Sequence, residues 1–121
     1  MGTTEGPAII VSGTITFADR TARDGAVAAA VEIQRATRDD EPGCLAYVFA
    51  ADPAADTLVH VYEAWADEAS LAAHFLHPNY ALMRQVLRRF PRGAASQVAK
   101  HEVARSQPVY DSNGAPRADW F

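Results

Sequence analysis

The chain has 121 residues, 49% apolar and 21% charged, which suits one packed domain and leaves little for a second. Its formal net charge of -4 offers no bulk attraction to phosphate backbones, so nucleic acid is not expected as a partner. Its single cysteine, Cys44, excludes an internal disulfide framework and multi-cysteine metal sites. No apolar run reaches the roughly 18 to 20 residues of a membrane span, and no glycine-rich dinucleotide or P-loop motif is present. The expectation is a cytoplasmic protein without membrane partners.

Residues 1–7 read as a flexible leader. Ala8 to Phe17 is rich in β-branched residues and reads as a strand, with Ile9, Val11, Ile15 and Phe17 on one face and Ile10, Ser12, Thr14 and Thr16 on the other. Asp19 is positioned to cap a helix over 20–38, whose apolar stripe runs through Ala26, Ala30, Ile33 and Thr37. Asp39 to Gly43 is a turn. A second strand, Cys44 to Ala51, and a third, Thr57 to Trp65, flank an Asp/Pro loop and predict an antiparallel hairpin.

Asp67 caps a helix over 68–76, and His77-Pro78 interrupts it because the residue before proline avoids the α region. Pro78 opens a further helix to about Phe90, along which Leu82, Val86 and Phe90 step on one face. Arg84, Arg88, Arg89 and Arg92 gather toward its C-terminal end and read first as a solvated helix end, second as an anion site. Residues 94–104 form a fourth strand. The remainder, through Phe121, is an extended tail with a turn, docked by Val109, Tyr110, Trp120 and Phe121.

Strand, helix, two strands, helix, strand is the βαββαβ order of a ferredoxin-like α+β sandwich: a four-stranded antiparallel sheet with helices on one face. The opposite face would then be bare and partly apolar. A homodimer that packs two sheets face to face covers it.

Glu41-Pro42-Gly43-Cys44-Leu45-x-Tyr47, followed by Val61-Tyr62-Glu63-Ala64-Trp65-Ala66-Asp67-Glu68-Ala69 and then His74, resembles the antibiotic biosynthesis monooxygenase superfamily, especially its small quinol-monooxygenase-like members. The resemblance spans residues 8–105 and leaves 106–121 as a C-terminal extension. It implies a dimeric α/β barrel with a pocket in each subunit between sheet and helices. It also implies oxidation of a quinol or phenolic polyketide by O2, with no flavin, metal or haem. Many relatives carry a second histidine shortly after the one matching His74. Here His77 or Asn79 is left to fill that place.

Oxygenation without a cofactor needs a substrate anion able to pass an electron to O2, hence a base, donors for an oxyanion and a dry aromatic pocket. His74 is the candidate base, on one helical face with Leu71 and Phe75. Trp65, sharing a strand face with Glu63, is a candidate aromatic wall, and Asn79 a candidate donor to an oxyanion. Tyr47, Glu63 and Phe75 are candidate substrate contacts. The structural alternatives are a capping or surface role for His74, core packing for Trp65 and Tyr47, and for Glu63 a pairing with an arginine of the first helix or with a helix end. His74 and His77 lack the further ligands a metal would need. Two rival functions share the pocket: a non-catalytic protein that binds a small hydrophobic ligand, and a haem-degrading relative.

Overall fold

The computed structural model describes residues 6–121. The elements in order are β1 (Ile9–Thr16), α1 (Arg20–Ala29), α2 (Val31–Asp40), β2 (Cys44–Ala51), β3 (Leu58–Trp65), α3 (Glu68–Leu76), α4 (Pro78–Arg88) and β4 (Gln97–Glu102). The strands form one antiparallel sheet in the order β2-β3-β1-β4. This is the ferredoxin-like α+β arrangement expected from the element order. Most of the predicted leader, residues 1–5, lies outside the described residues.

The ladder sets side chains in rows across the helix-facing side of the sheet. Tyr47, Glu63, Val11 and Lys100 form one row through all four strands, and Phe49, Val61, Gly13 and Val98 the next. Tyr47 and Phe49 of β2 and Val59, Val61, Glu63 and Trp65 of β3 are buried on this side, whereas His60 and Tyr62 on the other side are exposed. β4 is exposed throughout, so the helices leave that border of the inner face open. Gly13 is required where β1 meets β4: a Cβ there would stand 1.9 Å from the Gln97 carbonyl oxygen.

Side chains of α2 close the free edge of β2. Buried Gln34 accepts from Phe49 N at 3.0 Å and donates to Phe49 O at 3.4 Å, and Arg38 donates twice to Tyr47 O. An edge so occupied is protected from pairing with another chain. Arg23 closes the β2–β3 loop by donating to the carbonyls of Ala55 and Leu58 at 2.9 and 3.1 Å.

Three expectations are corrected. The helix predicted over 20–38 is two helices, divided at Ala30, whose amide is shared between the Ala26 and Val27 carbonyls. Gln34 N still donates to Ala30 O, so the bend keeps the helical phase and the apolar stripe does not reveal it. The helix expected to reach Phe90 ends at Arg88, because Arg89 and Phe90 bond back three residues and tighten the last turn. The tail aromatics are not docked: Val109, Tyr110, Trp120 and Phe121 are exposed. The tail folds on itself instead, with a Tyr110–Pro116 bridge and Arg117 paired to Asp111 and Asp119.

Candidate functional site

A cavity of about 520 Å³ lies between the sheet, α3, α4 and β4. Its floor is Tyr47, Phe49, Val61 and Glu63, and its roof Leu71, His74, Phe75, Tyr80 and Met83. Local sequence places the roof. Asp67 accepts from Ser70 N at 2.8 Å and starts α3, which sends Leu71 and His74 inward. Pro78 stops α3, and His77 caps α4 through its Nδ1, which accepts from Asn79 N at 3.0 Å.

His74 is 1% exposed. Its Nδ1 lies 2.8 Å from Glu41 Oε1, and Asn79 Nδ2 donates to the other carboxylate oxygen, Oε2, at 3.1 Å. One buried carboxylate at the end of α2 thus ties α2, α3 and α4 together. A carboxylate only accepts, so the neutral imidazole donates Nδ1–H to it and keeps the Nε2 lone pair free. Burial holds the His74 pKa below its ordinary value, against the opposing hydrogen bond and charge of Glu41. Four rings surround the imidazole, with centroids at 4.6 Å for Trp65, 5.4 Å for Tyr47, 5.5 Å for Tyr80 and 6.0 Å for Phe75.

Glu63 accepts from Trp65 Nε1 at 3.0 Å. Burial pushes its carboxyl up to about 7, outweighing that hydrogen bond, with a further rise from the charge of Glu41. Near neutral pH it therefore exchanges a proton readily. The Tyr47 phenol is driven far above its ordinary range by burial, then by Glu63, so it remains an O–H donor. The site thus combines a neutral imidazole, a carboxyl that titrates near neutrality and a phenolic donor inside apolar walls.

Of the residues singled out from sequence, Tyr47, Glu63, His74 and Phe75 line the cavity. Trp65 and Asn79 do not. Trp65 is fully buried beneath His74, where it supports the imidazole and the Glu63 carboxyl instead of forming a wall for substrate. Asn79 is spent on Glu41. Glu63 pairs with Trp65 and not with an arginine or a helix end. Sequence reasoning missed Glu41, which follows Asp39 and Asp40 and precedes Pro42-Gly43 and so resembles a solvated turn. The one sign of it was its place at the head of the motif containing Tyr47. Among the described residues no three His, Cys, Asp or Glu side chains converge as a metal site.

Residues 8–86 match the antibiotic biosynthesis monooxygenase family. The chain belongs to that family. Solved structures agree on the fold. A protein from Deinococcus radiodurans, provisionally named an antibiotic biosynthesis monooxygenase, superposes with a TM-score of 0.70 at 20% identity, covering 85% of this chain and 99% of its own. A conserved protein of unknown function from Bacteroides thetaiotaomicron gives 0.67 at 23% identity, with 80% and 99% covered. A conserved protein from Methanosarcina mazei Go1 gives 0.69 at 17% identity, with 79% and 92% covered. No curated protein matches the sequence. The family match ends before β4, so the open border of the cavity lies outside it.

Proposed function

We propose that the protein is a cofactor-independent monooxygenase that oxidises a quinol or related phenolic aromatic with O2. The carrying observation is the imidazole of His74, fixed through Nδ1 by buried Glu41 and set in the wall of an aromatic-lined cavity. Nε2 takes the acidic proton of the bound phenol or anthrone. The anion passes one electron to O2, and the radical pair joins at a ring carbon as a peroxide. Loss of water leaves a ring-hydroxylated quinone from a quinol, or the anthraquinone from an anthrone, with one oxygen atom in product and one in water; all four electrons come from the substrate. In this reading protonated Glu63 and the Tyr47 phenol donate to oxygens that gain charge. The apolar walls keep bulk water from the anion.

The test is oxygen uptake by purified protein with a panel of hydroquinones, naphthohydroquinones and anthrones. Saturable uptake with an oxygen atom of O2 found in the product, a hydroxyquinone from a hydroquinone or an anthraquinone from an anthrone, supports the reading. Binding without uptake across the panel makes the protein a ligand carrier and sinks it. A haem-degrading activity is disfavoured by the four rings packed around His74, which leave its imidazole poorly presented to a macrocycle. A Soret shift on adding haem would reopen it.

A further inference from the structure

The outer end of the cavity is cationic. Arg84 of α4, Arg92 of the following loop and Lys100 of β4 all line it. None of the three pairs with a carboxylate among the described residues. Two are held by neutral groups instead: the Arg84 guanidinium lies 5.6 Å from the Tyr80 ring centroid, and that of Arg92 lies 5.1 Å from the Phe17 ring and donates to Ser96 Oγ at 2.9 Å. Their heads are positioned but not neutralised. This happens on a chain whose net charge is -4, with 15 acidic side chains to supply partners. Among the described residues Glu63 is the only acidic side chain on the cavity wall, and it stands at the inner end.

We propose that this rim is an anion subsite and that the aromatic ligand of the cavity carries a carboxylate at the end facing β4. The inference rests on the phenolic substrate proposed above and specifies its class. Register sets the spacing. Glu63 and Lys100 occupy one row with Val11 between them, two ladder steps or roughly 10 Å apart at the Cα atoms. A flat ligand with its hydroxyl at His74 and Glu63 lies across the strands over Val11 and meets Lys100 with its far end, while Arg92, bridged to Phe17 just past the end of β1, adds positive charge to the same border. The lysine ammonium offers the carboxylate a charged donor, and the guanidiniums of the border add to the positive field.

Calorimetric titration with 6-hydroxy-2-naphthoate, which carries hydroxyl and carboxylate at opposite ends, and with neutral 2-naphthol tests this. The naphthoate should bind about 10-fold tighter or better, the scale of a charge-assisted contact. Lys100→Gln should lower that preference several-fold, and Arg92→Gln with Lys100→Gln should remove it, with 2-naphthol unaffected. Raising salt from about 0.05 to 0.5 M should weaken only the naphthoate, which tests the same point without any substitution. Equal affinities, a preference that survives the double substitution or high salt, or no binding of either probe would overturn the subsite. Oxygen uptake with 1,4-dihydroxynaphthalene separates the two claims. Uptake without a naphthoate preference removes the subsite alone. A preference without uptake of any quinol removes the oxygenase and leaves the subsite.

Discussion

Glu63 stands on a wall otherwise built of rings and methyl groups, and burial there makes its protonated form the stable one. Its carboxyl rises from an ordinary 4.5 to about 7 in the folded chain. Between those values the unfolded chain has released the proton and the folded chain keeps it, so stability is full below about 4.5 and is lost as pH rises to about 7. The whole effect is on the order of 3 kcal/mol. Glu63→Gln should therefore be more stable than the parent at pH 8, and urea midpoints of the two should converge toward pH 4.5. His74 slopes the other way: its pKa is lowered, so folding weakens as pH falls below its ordinary 6.5. That contribution is common to both proteins and cancels in their difference. At the same site, His74→Ala should cut turnover by ~10²-fold or more, the scale of a lost general base. Glu41 acts through His74 and is a positioning residue. Its hydrogen bond and charge raise the imidazole pKa, so Glu41→Gln should move the acid limb of the turnover–pH profile to lower pH and slow turnover roughly 10-fold. An unmoved limb would leave Glu41 as a packing group only.

At the scale of elements, the site depends on how closely α3 approaches the start of β2. Gly43 is the contact: a Cβ there would stand 1.9 Å from Ser70 Oγ and 2.2 Å from Ser70 Cβ. Ser70 belongs to the first turn of α3, so Gly43→Ala pushes on the helix that carries His74. Overpacking of this kind costs about 1–3 kcal/mol. Adding Ser70→Gly removes the opposing side chain and should recover part of the thermal midpoint lost, even though glycine costs a helix about 1 kcal/mol. A double variant no better than the sum of the singles would show that the contact is not the cause. The sequence allowed the helix caps and strand faces to be read because each is local: Asp19, Asp67 and Pro78 act within four residues, and alternation puts Glu63 with Trp65. The burial of Glu41 was hidden because it is created by α3 and α4, more than thirty residues away. The division at Ala30 was hidden because it preserves the helical period. Alternation gives the face of Trp65, but the imidazole lying over it belongs to α3 and cannot be read from the strand.

At the scale of the whole molecule, the outer face of the sheet decides the assembly. Rows there run Val48, Tyr62, Ser12, Ala99 and Ala50, His60, Thr14, Gln97, with Tyr62 44% exposed at the centre. No helix among the described residues covers this face, and only His60, paired with Asp52 at 2.7 Å, carries a potential charge in these two rows. A flat surface of mixed small, hydroxyl and aromatic groups suits a partner surface of the same kind, which a second copy supplies through a two-fold axis. The expected particle is a homodimer with sheets facing each other and the two cavities on opposite outer sides. Around such an axis each substitution meets its own image or a near neighbour, so Val48→Lys with Tyr62→Lys sets four like charges into the interface. Light scattering should give twice the 13.1 kDa of one chain for the parent and the single-chain mass for the variant. Far-ultraviolet circular dichroism should be unchanged, because both positions are outside the core. Naphthol binding should also persist, because the cavity lies on the helix side of the sheet and the substitutions are on the other. A parent that scatters as a monomer at micromolar concentration would end the dimer. A variant that becomes monomeric and loses its ligand as well would mean that the partner completes the site.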